Sequence, residues 1–241
     1  MFKAAIFDLD GTLTDTLSSI SYFANKALEK YGLNSIEKEK YKIMVGNGAK
    51  KLVRRMLAEN NCDDEEVYQK VLIEYNTTYD NDFTYLTVVY DGIFELIDYL
   101  KENGFKLGVV SNKPHSTTVQ IVDHFFPQGT FDRVYGQREN VAIKPDPTAV
   151  FEELEEFCVK PDECIYVGDT GTDMKTGRNT NAFTVGVTWG FRDEKELLEN
   201  GADFIANHPS DIIKYLKKSW NFHICVLVYI KNRKDFSYER K

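Results

Sequence analysis

Four short strings of the 241-residue chain hold the side chains best suited to chemistry: Asp8-Leu9-Asp10-Gly11-Thr12, Ser111-Asn112-Lys113, Lys144-Pro145, and Gly168-Asp169 with Asp173. The first sets two carboxylates two residues apart, just past the apolar run Ala4-Ala5-Ile6-Phe7. From one turn, whose geometry Gly11 permits, neighbouring acids can reach a common ligand. Asp and Gly are also common turn residues, so the pair taken alone reads first as an ordinary turn. Asp169 and Asp173, four apart, are likewise open to a simple reading as acids favoured at a helix start.

The elements around these strings give them a shared location. Phe2 to Leu9 is an apolar run closed by turn residues, which predicts a buried strand. From Thr16 to about Tyr31, Ile20, Phe23, Ala24, Ala27, Leu28 and Tyr31 share one helical face, and Gly32 supplies the stop. Helices are expected at about 37–45, 49–59 and 63–81, with no strand between 16 and 85, and another at Ile93 to Asn103. After Gly104 the order becomes strand (Lys106–Val110), helix (115–124), strand (Arg133–Tyr135), helix (147–157), strand (Glu163–Val167), helix (171–180) and strand (Phe183–Val187). Alternating strands and helices imply an α/β fold, a Rossmann-like parallel sheet with helices on both faces. Residues 1–15 and 86–218 form this core, 16–85 a helical cap inserted after the first strand, and 219–241 a C-terminal extension. Ligands of such sheets bind beyond the carboxyl ends of the strands, where Asp8, Ser111 and Gly168-Asp169 fall.

The four strings, in this order, resemble the haloacid dehalogenase superfamily of phosphohydrolases, whose first motif is an apolar strand followed by Asp-x-Asp-Gly-Thr. Residues 4 to 15 match it, and the later strings match the remaining motifs in sequence order. The resemblance implies Asp8 as the nucleophile that forms an aspartyl-phosphate, because a carboxylate oxygen can attack phosphorus in line. Asp10 would protonate the departing alkoxide and then deprotonate the hydrolytic water. Gly11, Thr12, Ser111 and Asn112 would hold the phosphate, and Lys144 would bring positive charge to phosphate and nucleophile. Lys113 is the rival for that lysine role and is otherwise expected at the surface or rim. Hard oxygens at Asp8, Asp10 and Asp169 suit Mg²⁺ between two mutually repelling anions, with Asp10 contributing its backbone carbonyl and Asp173 a direct or water-mediated contact.

The cap segment Val45-Gly46-Asn47-Gly48-Ala49-Lys50-Lys51-Leu52-Val53-Arg54 resembles the cap loop of phosphoglycolate phosphatases. Gly48 and the following helix start could offer amides to an anion, with Lys50 or Arg54 reading a second carboxylate. A glycine-bearing turn with a basic solvated face explains the same string equally well. The implied reaction is hydrolysis of 2-phosphoglycolate. A phosphotransferase like the sugar-phosphate mutases, a pyrophosphatase or nucleotidase, and an inactive binding protein of the same fold are alternatives. Dehalogenation is disfavoured by Asp10, which the resembling dehalogenases lack. Gly177-Arg178-Asn179-Thr180-Asn181 departs from the small residues usual in the family after the last acid.

A formal charge of -8 spread along the chain offers no footprint for nucleic acid or anionic membrane, so the expected partner is a small phosphorylated metabolite. Cys62, Cys158, Cys164 and Cys225 are scattered, without the close pairs of a structural zinc site. With no apolar run of membrane-spanning length, the expectation is a cytoplasmic monomer or homodimer. The apolar run 222–230 is expected to add a strand to the core, or else to form a dimer or partner contact.

Overall fold

Strand β1 (Ala4–Phe7) is fully buried along its whole length. A strand covered on both faces must be apolar throughout, as in the interior of parallel sheets. Odd and even positions nonetheless serve different cores. Ala4 and Ile6 pack with Val110, Cys164 and Tyr166 on one face, while Ala5 and Phe7 pack with Val109, Ile165 and Val167 on the other. The chain is described here by a computed structural model for residues 1–219, so the apolar run 222–230 lies outside the described residues.

On one side β1 pairs in parallel with β4 (Lys106–Pro114), and β4 in turn with β5 (Arg133–Gln137). On the other side it pairs with β6 (Cys164–Gly168), followed outward by β7 (Phe183–Val187) and β8 (Phe204–Ala206). The sheet order is therefore β5-β4-β1-β6-β7-β8, parallel throughout. The chain leaves β1 in one direction for β4 and returns to its other flank for β6. Such a reversal opens a crevice beyond the carboxyl end of the central strand.

Between β2 (Thr14–Asp15) and β3 (Val88–Val89) lie four helices: α1 (Leu17–Lys30), α2 (Lys38–Met44), α3 (Ala49–Glu59) and α4 (Glu65–Asn81). The predicted face of α1 is buried at Ile20, Phe23, Ala24, Ala27 and Leu28. At its end Gly32 adopts φ +72°, which lets the Leu33 N–H return to the Leu28 carbonyl at 3.1 Å. The two ends of this helical block are held side by side by the antiparallel β2–β3 ribbon. The sheet is flanked by α5 (Ile93–Glu102), α6 (His115–Phe125), α7 (Thr148–Phe157), α8 (Gly171–Thr180) and α9 (Glu194–Glu199). Among the described residues, no helix is long and apolar enough to cross a membrane.

Four short elements escape sequence reasoning. The ribbon strands β2 and β3 have two residues each, too short to show alternation, and β8 is a three-residue edge strand only partly buried. The six-residue α9 is shorter than two turns and buries only Leu197. The three strands take their ladder hydrogen bonds from partners distant in the sequence, and α9 takes its cap locally from Asp193.

Candidate active site

Asp8 follows directly on β1, its backbone N–H donating to the Val167 carbonyl of β6 at 2.9 Å. That bond fixes the acid at the sheet's reversal point, where it is 6% exposed. Lys144, from the loop before α7, lays its ammonium 2.8 Å from Asp8 and 2.7 Å from Asp173. Asp169 and Asp173, at the turn between β6 and the start of α8, complete a group with Asp8 whose ligand oxygens all lie within 4.8 Å of one another. Asp173 also closes a capping box, accepting from Thr170 N–H at 3.1 Å and Thr170 Oγ at 2.5 Å. The same acid thus anchors its helix and orients Lys144.

Several predicted phosphate ligands have other partners. Thr12 donates its hydroxyl to Asp169 at 3.2 Å and is fully buried. Gly11, at φ +87°, brings its backbone against the Asp169 carboxylate and Phe191, where any Cβ would collide. Phe191 N–H donates to Asp169 at 2.8 Å. Gly11 and Thr12 therefore build the seat of Asp169. The Asn112 side chain accepts from Lys144 N–H at 2.8 Å and donates to the carbonyls of Lys144 at 3.2 Å and Gly46 at 3.1 Å. It pins the Lys144 loop and the helical block to β4. Ser111 remains on the cavity wall.

The helical block lies over these strand ends. Asn47 donates to Thr172 at 3.0 Å, Arg192 holds the carbonyls of Lys42 and Val45, and Thr117 donates to Asp80 at 2.7 Å. A cavity is left between block and sheet, walled by Asp8, Asp10, Ser111 and Lys113 below and by Gly46, Gly48, Leu52, Tyr75, Asn76 and Tyr79 above. Gly48 reaches it; Lys50 and Arg54 do not. Both are exposed, and Arg54 pairs with Glu65 at 2.6 Å while stacking on Tyr68. The buried residues of α3 are Leu52, Val53, Met56 and Leu57, which turn positions 50 and 54 toward solvent. Periodicity alone carries that signal.

Lys113 corrects the expectation of a surface or rim residue. It is buried, 3.0 Å from Asp10 and 3.0 Å from the Tyr79 hydroxyl, with its ammonium also over the Tyr79 ring. Burial opposes its charge, but Asp10 with Tyr79 and Tyr75 outweighs that and raises its pKa. The wall formed by α4 was also missed by sequence reasoning, although Tyr75 and Tyr79 stand one turn apart on one face.

Fully ionised, Asp8, Asp169 and Asp173 would set three negative charges against the single positive charge of Lys144. Burial, followed by the Asp173 and Asp10 charges, pushes the Asp8 carboxyl up to about 7 against the pull of Lys144. Burial with the Asp173 and Asp8 charges also holds Asp169 well above the carboxylate range. A hard divalent cation would supply the missing positive charge to this all-oxygen donor set. The residues present fit such an ion.

The sign of the pH effect follows. The folded pKa of Asp8 lies above its ordinary 3.8, so the native protein keeps a proton that the unfolded chain has lost. In the metal-free protein, the contribution of Asp8 to stability therefore falls as pH rises from about 4 to about 7. Because the protons on Asp8 and Asp169 must leave for metal to bind, Mg²⁺ affinity is expected to tighten as pH rises, by at least about tenfold per pH unit below about pH 7. Thermal shift with Mg²⁺ at about pH 5.5, 6.5 and 8 checks this; a pH-independent affinity contradicts it.

The sheet order, the acids at its carboxyl edge and the helical block over them define an α/β core of the haloacid dehalogenase type. The sequence profile of the haloacid dehalogenase-like hydrolases matches residues 5–187, and the chain belongs to that family. A phosphoglycolate phosphatase of Aquifex aeolicus is 31% identical over 215 residues, covering 89% of this chain and 96% of the relative. Among solved structures, one titled a predicted phosphoglycolate phosphatase from Haemophilus somnus superposes with a TM-score of 0.84 at 25% identity, covering 89% of this chain and 98% of the other. A predicted phosphatase from Clostridium acetobutylicum gives 0.79 at 28% identity, covering 90% and 99%. The chain is a hydrolase of phosphatase type.

Proposed function

We propose that this hydrolase is a Mg²⁺-dependent phosphomonoesterase that works through an aspartyl-phosphate on Asp8, with 2-phosphoglycolate as its substrate. The observation that carries the chemistry is the buried Asp8, held 2.8 Å from Lys144 at the floor of a cavity whose wall also bears Asp10. Support for the ester comes from relatives named phosphoglycolate phosphatase that align over most of the chain.

An Asp8 oxygen attacks phosphorus, and the bond from phosphorus to the ester oxygen breaks. Asp10 gives its proton to the departing glycolate alkoxide. Water then attacks the phosphorus of the aspartyl-phosphate, Asp10 takes its proton, and the bond from Asp8 to phosphorus breaks to release inorganic phosphate. Lys144 holds positive charge beside Asp8 through both displacements and keeps its carboxylate oriented. A Mg²⁺ held by Asp8 and Asp169, with Asp173 behind them and the Asp10 carbonyl as a further donor, would screen phosphate from nucleophile and neutralise charge on the phosphoryl oxygens. Asp8 and Lys144 are buried beneath the helical block, so their charges act across a medium of lowered dielectric constant. We read the compartment as the cytoplasm, consistent with Cys62, Cys158 and Cys164 being free thiols.

The test is steady-state phosphate release from 2-phosphoglycolate, 2-hydroxyethyl phosphate, an aryl phosphate, a nucleotide and a sugar phosphate, with and without Mg²⁺. The expected result is Mg²⁺-dependent turnover with kcat/KM highest for 2-phosphoglycolate. Equal rates on the aryl ester would sink the substrate assignment. Conversion of the sugar phosphate to its isomer without free phosphate would establish a phosphotransferase instead.

A further inference from the structure

Lys113 is the one cation lining the cavity among the described residues. The chemistry proposed above gives it no task, since Lys144 already serves Asp8 and Asp173. Its position is nevertheless tightly specified. It comes from β4, it is 9% exposed, and its ammonium lies between Asp10 of the core and the Tyr79 hydroxyl of α4. The surrounding wall includes Ile20, Val45, Leu52 and Tyr75, an apolar lining in which a charge acts strongly.

We propose that Lys113 selects the substrate by pairing with a carboxylate carried on the carbon next to the ester oxygen. This rests on the phosphoglycolate reading and adds the residue that makes the discrimination. To protonate the leaving oxygen, Asp10 must lie about 3 Å from it. Lys113 stands 3.0 Å from Asp10 on the same wall, so a carboxylate one carbon beyond that oxygen comes within its reach. Asp80, the acid that α4 contributes to the wall, is exposed to solvent and held by the Thr117 hydroxyl. Lys50 and Arg54, the basic residues of the cap segment, face solvent and leave this task to Lys113.

The experiment compares 2-phosphoglycolate with 2-hydroxyethyl phosphate, which replaces the carboxylate by a neutral hydroxymethyl group. In Lys113→Met the ratio of the two kcat/KM values is expected to fall at least about thirtyfold, the scale of a lost charge-assisted contact in a buried site. Lys113→Arg is expected to keep most of the preference. If Lys113→Met does not fold, Asp10→Asn/Lys113→Met leaves neither charge unpaired. Calorimetric affinities for both esters are then compared with those of Asp10→Asn alone, and the same thirtyfold loss is expected for the acid only. A ratio within about threefold of wild type, with both esters slowed alike, overturns the proposal and makes Lys113 a positioning residue for Asp10. If wild type itself shows no preference for the carboxylate ester, the substrate reading fails as well. A wild-type preference that survives in Lys113→Met overturns the role of Lys113 alone.

Discussion

Asp8→Asn is expected to lower phosphate release by about four orders of magnitude or more, as loss of a covalent nucleophile does elsewhere. The substitution is nearly isosteric, and the backbone bond from Asp8 N–H to Val167 does not depend on the side-chain charge. The fold should therefore survive. Stability makes a second readout, because the wild-type site crowds three buried carboxylates together, with one lysine between Asp8 and Asp173. Removing one of them relieves repulsion, so the metal-free variant is expected to melt no lower than metal-free wild type near pH 8. The variant should also lose most of the Mg²⁺-induced rise in Tm. Calorimetry with and without Mg²⁺, beside a phosphate-release assay, gives all three results. Turnover within about tenfold of wild type would remove Asp8 as nucleophile.

Lys144→Met reverses the stability effect while also abolishing efficient turnover. The lysine side chain is 3% exposed and its two partners 9% and 1%. Removing one member of a buried ion group strands the others, at a cost of about 3–5 kcal/mol. For a chain of this length that corresponds to roughly 10 °C or more in Tm. Activity is expected to fall at least about a thousandfold, because a preorganised charge beside nucleophile and phosphate is lost. The double variant Asp8→Asn/Lys144→Met should regain part of the lost stability, since one stranded carboxylate is gone. Strict additivity of the two substitutions in Tm would contradict a direct interaction between these residues. Added Mg²⁺ should recover stability in Lys144→Met, because it supplies positive charge to the same oxygens.

The two lysines show how far sequence reasoning reaches. Lys113 follows Ser111-Asn112 beyond an apolar strand and Lys144 follows Val141-Ala142-Ile143 before a helix, and spacing offers no means of deciding between them. Resemblance favours Lys144, but nothing local says that Lys113 is buried against Asp10 and a tyrosine of another element. Asn112 and Thr12 teach the same lesson. Their types announce hydrogen bonding, and the partners turn out to be protein atoms 32 and 157 positions away. The outward turn of Lys50 and Arg54 was legible from the apolar phase of α3, whereas its position over the sheet was not.

The order of the longer strands and helices and the placement of acids just past apolar strands are already written in the chain. These follow from periodicities of two and 3.6 residues and from turn residues, all of which are local. The nucleophile candidate, its neighbour Asp10 and the late acids Asp169 and Asp173 were therefore visible in one dimension. Tertiary structure alone decided which charges meet. The crossing from β4 past β1 to β6 brings Asp8, Lys144 and Asp173 together, and the lie of α4 over the strand ends places Tyr79 on Lys113. Coulombic and desolvation effects depend on distance and burial, not on position along the chain.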